Sequence, residues 1–296
     1  MLDPVTTISR FPFPSKKILI TGGNGFLGSN IAKKARYLNY EVDIISRKSH
    51  TPYQQLFEFN PDVVIHCAWD GGNNYNSVNS PIQYENVTKG IQLIKNINEL
   101  PTPTKFIGFG SFAEYGEIRS KAVETDQENP LNLYGLSKYM FKEYSKMLCS
   151  NYNIEWGWVR PCYVYGPGDV STRLIPTVIN KLLTNQQVEL DRCAKLIDYI
   201  YIDDFVNMVL SLVEPPIEGV YNICSGEQYE LKTLIQTIGD ILELPHKITF
   251  STSDTKELTS TFICGDNSKI LKHSKISLLT DFNSGIKNTI NYYKKS

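Results

Sequence analysis

The chain has 296 residues, 41% of them hydrophobic, enough to bury one large core or a domain with a smaller lobe. Its 30 basic and 31 acidic residues leave a formal net charge of −1, which argues against a broad polyanion-binding surface and against nucleic acid as a partner. The six cysteines form no C-x-x-C pair and the four histidines are scattered, so neither a disulfide framework nor a metal site is expected. With no secretory leader pattern and no apolar run of membrane-spanning length, the expectation is a cytoplasmic protein with no membrane partner.

Residues 1–15 hold three prolines without a clear period and read as a loosely held tail. A strand is expected near 17–21, and it runs into the glycine-rich turn of Ile18-Leu-Ile-Thr-Gly-Gly-Asn-Gly-Phe-Leu-Gly28 and a helix over 26–38. Gly22, Gly25 and Gly28 give the spacing G-x-x-G-x-x-G, with Gly23 between the first two. Such glycines permit a tight turn, the approach of a phosphate to the backbone, and close helix–strand packing. Asn24, Phe26 and Leu27 complete the stretch, whose helix N-terminus offers free N–H groups and a positive dipole end to a diphosphate. Further strands are expected near 41–46, 62–67, 105–110 and 155–160, with helices near 82–98 and 132–150. His66, inside a strand, reads as a satisfied core residue.

This alternation predicts an α/β fold, a doubly wound parallel sheet of Rossmann type with ligand along the carboxyl ends of the strands. The pattern shortens after residue 168. The expected division is a nucleotide-binding unit of 16–168 plus 198–222, and a smaller interleaved C-terminal substrate lobe of 169–197 plus 223–296.

Tyr134 and Lys138 stand four residues apart, hence one turn apart on one helix face. A cation beside a tyrosine favours phenolate, so a Tyr134 pKa below 10 is expected, suited to acid–base work. Ser111, in Phe109-Gly-Ser-Phe-Ala-Glu-Tyr-Gly116 after an apolar strand, is a candidate hydroxyl donor.

Together these residues resemble the extended short-chain dehydrogenase/reductase family, in its nucleotide-sugar-modifying branch. Pro61-Asp-Val-Val-Ile-His-Cys-Ala68, Glu85-Asn-Val-Thr-Lys-Gly90, Val159-Arg-Pro-Cys-Tyr-Val-Tyr-Gly-Pro-Gly168, Asp198-Tyr-Ile-Tyr-Ile-Asp-Asp204 and Tyr221-Asn-Ile-Cys-Ser-Gly226 are similar to its segments, in its order. The resemblance implies Ser111, Tyr134 and Lys138 as catalytic residues, Ala68 and Pro161 beside the cofactor, and a nucleotide-linked sugar as substrate. It also implies pairing of chains through the helices near 82–98 and 132–150. Two departures stand out. The stretch from Arg47 to Asn60 leaves room for a loop and short helix where the family usually has another strand. Ile197 replaces an arginine that commonly grips the substrate diphosphate, for which Arg173 or Lys195 is a substitute, and Tyr163 replaces an asparagine.

Sites that prefer NAD place an acid at the end of the second strand to bind the ribose hydroxyl. Here Ser46, Arg47 and Lys48 stand there and Asp43 lies three residues too early, so NADP(H) is expected in preference to NAD. The family's dehydratases carry an Asp-Glu pair after the catalytic hydroxyl, whereas this chain has Phe112 and Ala113. Elimination is therefore not expected, and hydride transfer at one carbon remains. The expectation is NADPH-dependent reduction of a 4-keto-6-deoxy nucleotide sugar, with a 4-epimerase as the alternative and an NADP-sensing module behind both. Trp69, Asp70 and the Gly71–Asn76 run are candidates for the sugar pocket, with Ser111, Tyr163 and Arg173.

Overall fold

The computed structural model describes residues 16–46, 52–71, 79–217, 219–251, 262–276 and 279–295. Strand β1 (Lys17–Thr21) sends Ile18 and Ile20 to one face and Leu19 to the other, all three fully buried. A strand apolar on both faces needs helices on both sides, the condition of a parallel sheet. These are supplied in turn by α1 (Phe26–Tyr37), β2 (Glu41–Ile45), α2 (Pro52–Phe59), β3 (Val63–His66), α3 (Ile82–Asn98), β4 (Lys105–Phe109), α4 (Leu133–Asn151) and β5 (Trp156–Pro161). The expected elements of this half are all present, with ends within one residue of those read from the sequence.

The chain then builds β6 (Tyr163–Tyr165), α5 (Leu174–Leu183), β7 (Val188–Leu190), β8 (Leu196–Tyr201), α6 (Ile202–Ser211) and β9 (Gly219–Ile223). Last come β10 (Gln228–Glu230), α7 (Leu231–Ile241), β11 (Ile248–Phe250), β12 (Phe262–Ile263), α8 (Ser268–Ser274) and α9 (Phe282–Tyr293). The main sheet has six parallel strands in the order β2-β1-β3-β4-β5-β9. Between β2 and β3 only α2 is described, so β1 pairs directly with both. Helices α1 and α6 cover one face, while α3 and α4 pack together on the other. Gly90 lets them approach, since a Cβ there would lie 2.4 Å from the Phe141 ring.

A smaller sheet joins β6, β8, β10 and β12, and β7 pairs with β11. Segment 198–222, expected to return to the main sheet, does so only in part. Its helix α6 packs on α1 and β9 adds the sixth strand, but β8 belongs to the smaller sheet. Strand β8 is held there by its ladders with β6, β10 and β12, and its buried Asp198 accepts hydrogen bonds from the Ser225 amide at 2.8 Å and the Gly226 amide at 2.9 Å. No helix among the described residues is long and apolar enough to cross a membrane.

Candidate active site

The carboxyl ends of β1, β3, β4 and β5 open onto one side of the main sheet, where Gly22 follows β1, Ala68 lies beyond β3, Ser111 lies beyond β4 and Pro161 ends β5. After β1, Gly22 has φ +71°, and a Cβ on it would lie 2.7 Å from the Ala68 amide nitrogen. A Cβ on Gly28 would lie 2.5 Å from the Gly22 carbonyl oxygen. No other residue type fits either position without moving backbone. The turn closes through the Gly25 amide, which donates to the Gly22 carbonyl at 2.9 Å. Gly25 caps α1 with no side chain over its amides, and the first turn holds no acid. Asn24 is exposed on this turn, Phe26 is buried beneath it, and Leu27 packs against the core. This cradle fits a dinucleotide diphosphate, with open N–H groups at a positive helix end.

At the rim, Ser46 follows β2. Asp43 is occupied, because Gln55 of α2 donates to its carboxylate at 2.8 Å. Arg47 and Lys48 lie outside the described residues. Ala68 follows β3 and donates its amide to Thr21 Oγ1 at 3.3 Å, while Pro161 ends β5.

Ser111 sits where β4 leaves the sheet and a one-turn 3-10 helix (Phe112–Glu114) begins. Its hydroxyl accepts from the Ala113 amide at 3.1 Å and shares a hydrogen bond with the Tyr134 phenol. Tyr134 stands in the first turn of α4, whose start is capped by Asn132 accepting from the Gly135 amide at 2.8 Å. Lys138, one turn on, donates to the Phe109 carbonyl at 2.7 Å and lies 3.6 Å above the Trp69 ring. The three candidate catalytic residues are therefore together.

The electrostatics differ from expectation in one respect. Burial raises the Tyr134 phenol above its usual 10; the Ser111 hydrogen bond and Arg173 pull it down, Glu114 and Tyr163 add to the rise. Lys138 does not bring the phenol below 10, since its ammonium is 5.9 Å from that ring's centroid and is held by Phe109 and Trp69 instead. Burial brings Lys138 itself down to about 7, against the opposing pull of Glu114 and Cys67. The pair thus starts as a neutral phenol beside a lysine that titrates near neutrality, an arrangement able to donate a proton to a developing alkoxide.

Around this trio, Tyr163 opens β6 with 45% of its surface exposed, and both it and Arg173 stand close enough to influence the Tyr134 phenol. Arg173, at the start of α5, is held by Asp169 at 3.2 Å. Ile197 is buried in β8, and no role in gripping a ligand is open to it. Trp69, expected in a sugar pocket, has its indole N–H on Gln83 at 2.7 Å and its face on Lys138, so it is first a neighbour of the lysine. Asp70 exchanges two 2.9 Å bonds with the side chain of Asn86. Residues 72–78 lie outside the described residues.

Phe112 and Ala113 place no carboxylate beside the Ser111 hydroxyl. Phe112 packs into a small cluster with Tyr115, Ala122, Cys162 and Cys224. Glu114 is turned inward, with none of its surface exposed, and pairs with Arg160 at 2.8 Å. Sequence reasoning gave Glu114, Arg160 and Gln83 no part. The signal for the first pair was two opposite charges in or beside apolar strands.

The family model described as the NAD dependent epimerase/dehydratase family matches residues 18–224. A putative UDP-glucose 4-epimerase of Methanocaldococcus jannaschii is 28% identical over 251 residues, 75% of this chain and 81% of that protein. The GDP-L-colitose synthase of Yersinia pseudotuberculosis is 25% identical, covering 94% of this chain and 97% of its own. Among solved structures, RMD from Pseudomonas aeruginosa, complexed with NADPH, superposes with a TM-score of 0.84 at 17% identity, covering 95% of this chain and 99% of that one. With its glycine cradle and its Ser, Tyr and Lys on the expected elements, this chain belongs to the NAD-dependent epimerase/dehydratase family.

Proposed function

We propose that the chain reduces a keto group on a nucleotide-linked sugar, a 4-keto-6-deoxy sugar, with NADPH as the hydride source. The observation that carries this reading is that Phe112 and Ala113 stand where a dehydratase would carry its acid pair, while Glu114, the carboxylate of that turn, is fully buried on Arg160 and the Ser111 amide. Removal of water needs an acid and a base at that place; hydride transfer needs one proton donor. The colitose synthase, similar over nearly the whole chain, supports deoxysugar chemistry.

A nicotinamide cofactor, held by its diphosphate in the cradle of Gly22 to Gly28, would supply the hydride. Ser111 then holds the carbonyl oxygen through its hydroxyl, and Tyr134 protonates that oxygen as it becomes an alkoxide. Lys138, when charged, places a positive charge in the site and binds ribose hydroxyls. Tyr163, Arg173 and Trp69 border the sugar, and Arg173 takes the diphosphate charge in place of the arginine that Ile197 replaces. Ser46 at the strand end, with Asp43 three residues earlier and bonded to Gln55, supports NADP(H) over NAD. The exposed Tyr84 of α3 and Tyr144 and Met147 of α4 support pairing of two chains through these helices.

The second reading is a 4-epimerase, favoured by the Methanocaldococcus relative. An epimerase returns the hydride to its own substrate, so it keeps its cofactor and consumes none. The test mixes the protein with NADPH and 4-keto-6-deoxy nucleotide sugars, and separately with unmodified nucleotide sugars and no added cofactor. Absorbance loss at 340 nm in the first mixture is expected. Interconversion of 4-hydroxyl epimers in the second, with none in the first, would overturn the reductase reading.

A further inference from the structure

Glu114 is a fully buried carboxylate that the proposed reaction does not use. Its Oε1 accepts from the Ser111 amide at 2.7 Å and from the Trp158 indole at 3.2 Å, and its Oε2 accepts from Arg160 Nε at 2.8 Å. Space for it comes from Gly110, where a Cβ would lie 2.1 Å from Oε1. Arg160, equally buried, donates to the Tyr115 phenol at 2.8 Å and pairs through its other nitrogen with Glu128. Glu128 in turn pairs with Lys142, one turn beyond Lys138 on α4. Charges of alternating sign thus run from the amide of Ser111 to the helix that carries Tyr134 and Lys138.

We propose that Glu114 is a positioning residue: it anchors the amide of Ser111 and, through Arg160, Glu128 and Lys142, holds that turn in register with α4. The inference deepens the proposed reading of the site and rests on Ser111, Tyr134 and Lys138 acting together. Two effects follow. The hydroxyl is fixed against the phenol by a bond made on the far side of its own residue, which matters because a displacement of about 1 Å costs about a hundredfold in rate. The carboxylate also adds a negative field at Lys138, which favours the charged lysine that burial disfavours. The groups facing Lys138 are His66 and Cys67 at the end of β3, Trp69 beyond it, Glu114, and Tyr134 of its own helix. Those facing Tyr134 are Ser111, Glu114, Tyr163 and Arg173. Of these, Glu114 is the carboxylate acting on both.

The test is Glu114→Gln, which keeps the shape and one acceptor oxygen, with Glu114→Gln/Arg160→Gln alongside so that no charge is left unpaired should the single variant fail to fold. Lys138 is followed by NMR in cofactor-free protein labelled at the lysine ε-carbon, its resonance assigned by its loss in Lys138→Met. The titration midpoint of Lys138 is expected to fall by about one unit. The alkaline limb of kcat should move to lower pH by a similar amount, with kcat reduced about ten- to a hundredfold and KM nearly unchanged. The NMR arm needs no substrate, so it stands even where the reductase reading fails. A folded variant with an unmoved lysine midpoint would overturn the inference, as would failure of both variants to fold, which would assign the carboxylate to the core alone.

Discussion

Lys138 and Lys142 lie one turn apart on α4, both almost fully buried, in opposite surroundings. Lys142 meets two carboxylates, Glu128 and Glu143, so its charge is cancelled where it lies. Lys138 meets a backbone carbonyl and the face of Trp69, and no carboxylate forms an ion pair with it among the described residues. A buried ammonium without an ion-pair partner is destabilised by its burial, which the field of Glu114 only partly offsets, and it titrates near 7 in consequence. The contrast separates a lysine kept for structure from one kept for chemistry, although both read in the sequence as positions on a single helix face. Strongly shifted groups in clefts mark such sites.

The largest expected effect lies at the chemical end. Tyr134→Phe removes only the hydroxyl shared with Ser111 and leaves the ring beside Trp69. Turnover should drop by about 10²- to 10⁴-fold with folding and cofactor affinity nearly intact, as measured by steady-state NADPH oxidation and fluorescence titration. Turnover close to that of the parent would remove Tyr134 from the mechanism.

At the structural end, Lys142→Met leaves Glu128 short of one of its two cations. Breaking a buried pair from one side costs about 3 kcal/mol. The urea midpoint should fall accordingly, whereas a loss below about 1 kcal/mol would show that Arg160 satisfies Glu128 by itself.

Lys138→Met should do the opposite to stability while abolishing most activity. The unfolded chain holds this proton up to about 10.5 and the folded chain only to about 7. Between those values the unfolded state binds more protons, so parent stability rises with pH, and the burial penalty is fully present below about 7. Methionine carries no such penalty. The variant should gain on the order of 2 kcal/mol at pH 6.5, after loss of the carbonyl bond and the ring contact, with the gain vanishing toward pH 10. Urea unfolding of both proteins across that range decides it; parallel curves would mean that Lys138 is not destabilised by burial.

The sheet, its parallel sense and the cradle at Gly22 to Gly28 were legible because they follow from local patterns: apolar strands, glycine spacing and helix periodicity. The gathering of Ser111, Tyr134 and Lys138 was legible from spacing and family resemblance. The surroundings that set their ionisation were not, because they come from residues distant in the chain. Trp69 reaches Lys138 from the loop after β3, and Arg160 reaches Glu114 from β5. Nor does any local pattern in β8 reveal that it pairs with β6, β10 and β12, or that Asp198 ties it to the Ser225–Gly226 turn.

The smallest effect tests the Trp69 face. An ammonium 3.6 Å from a ring centroid gains from the ring's negative face, about 0.5–2 kcal/mol where water is excluded. Trp69→Phe keeps a face, though it loses the Gln83 bond that aims the indole; Trp69→Leu keeps bulk and loses the face altogether. If the face holds Lys138 in place, turnover should fall about threefold to thirtyfold in the leucine variant and less in the phenylalanine one, with the midpoint of Lys138 lowest in the leucine variant. Suppose instead that Trp69 acts mainly as a wall of the sugar pocket. The two variants would then raise KM for the sugar and leave the lysine midpoint alone. Measuring both quantities on the same pair of proteins separates a residue that serves the lysine from one that serves the substrate.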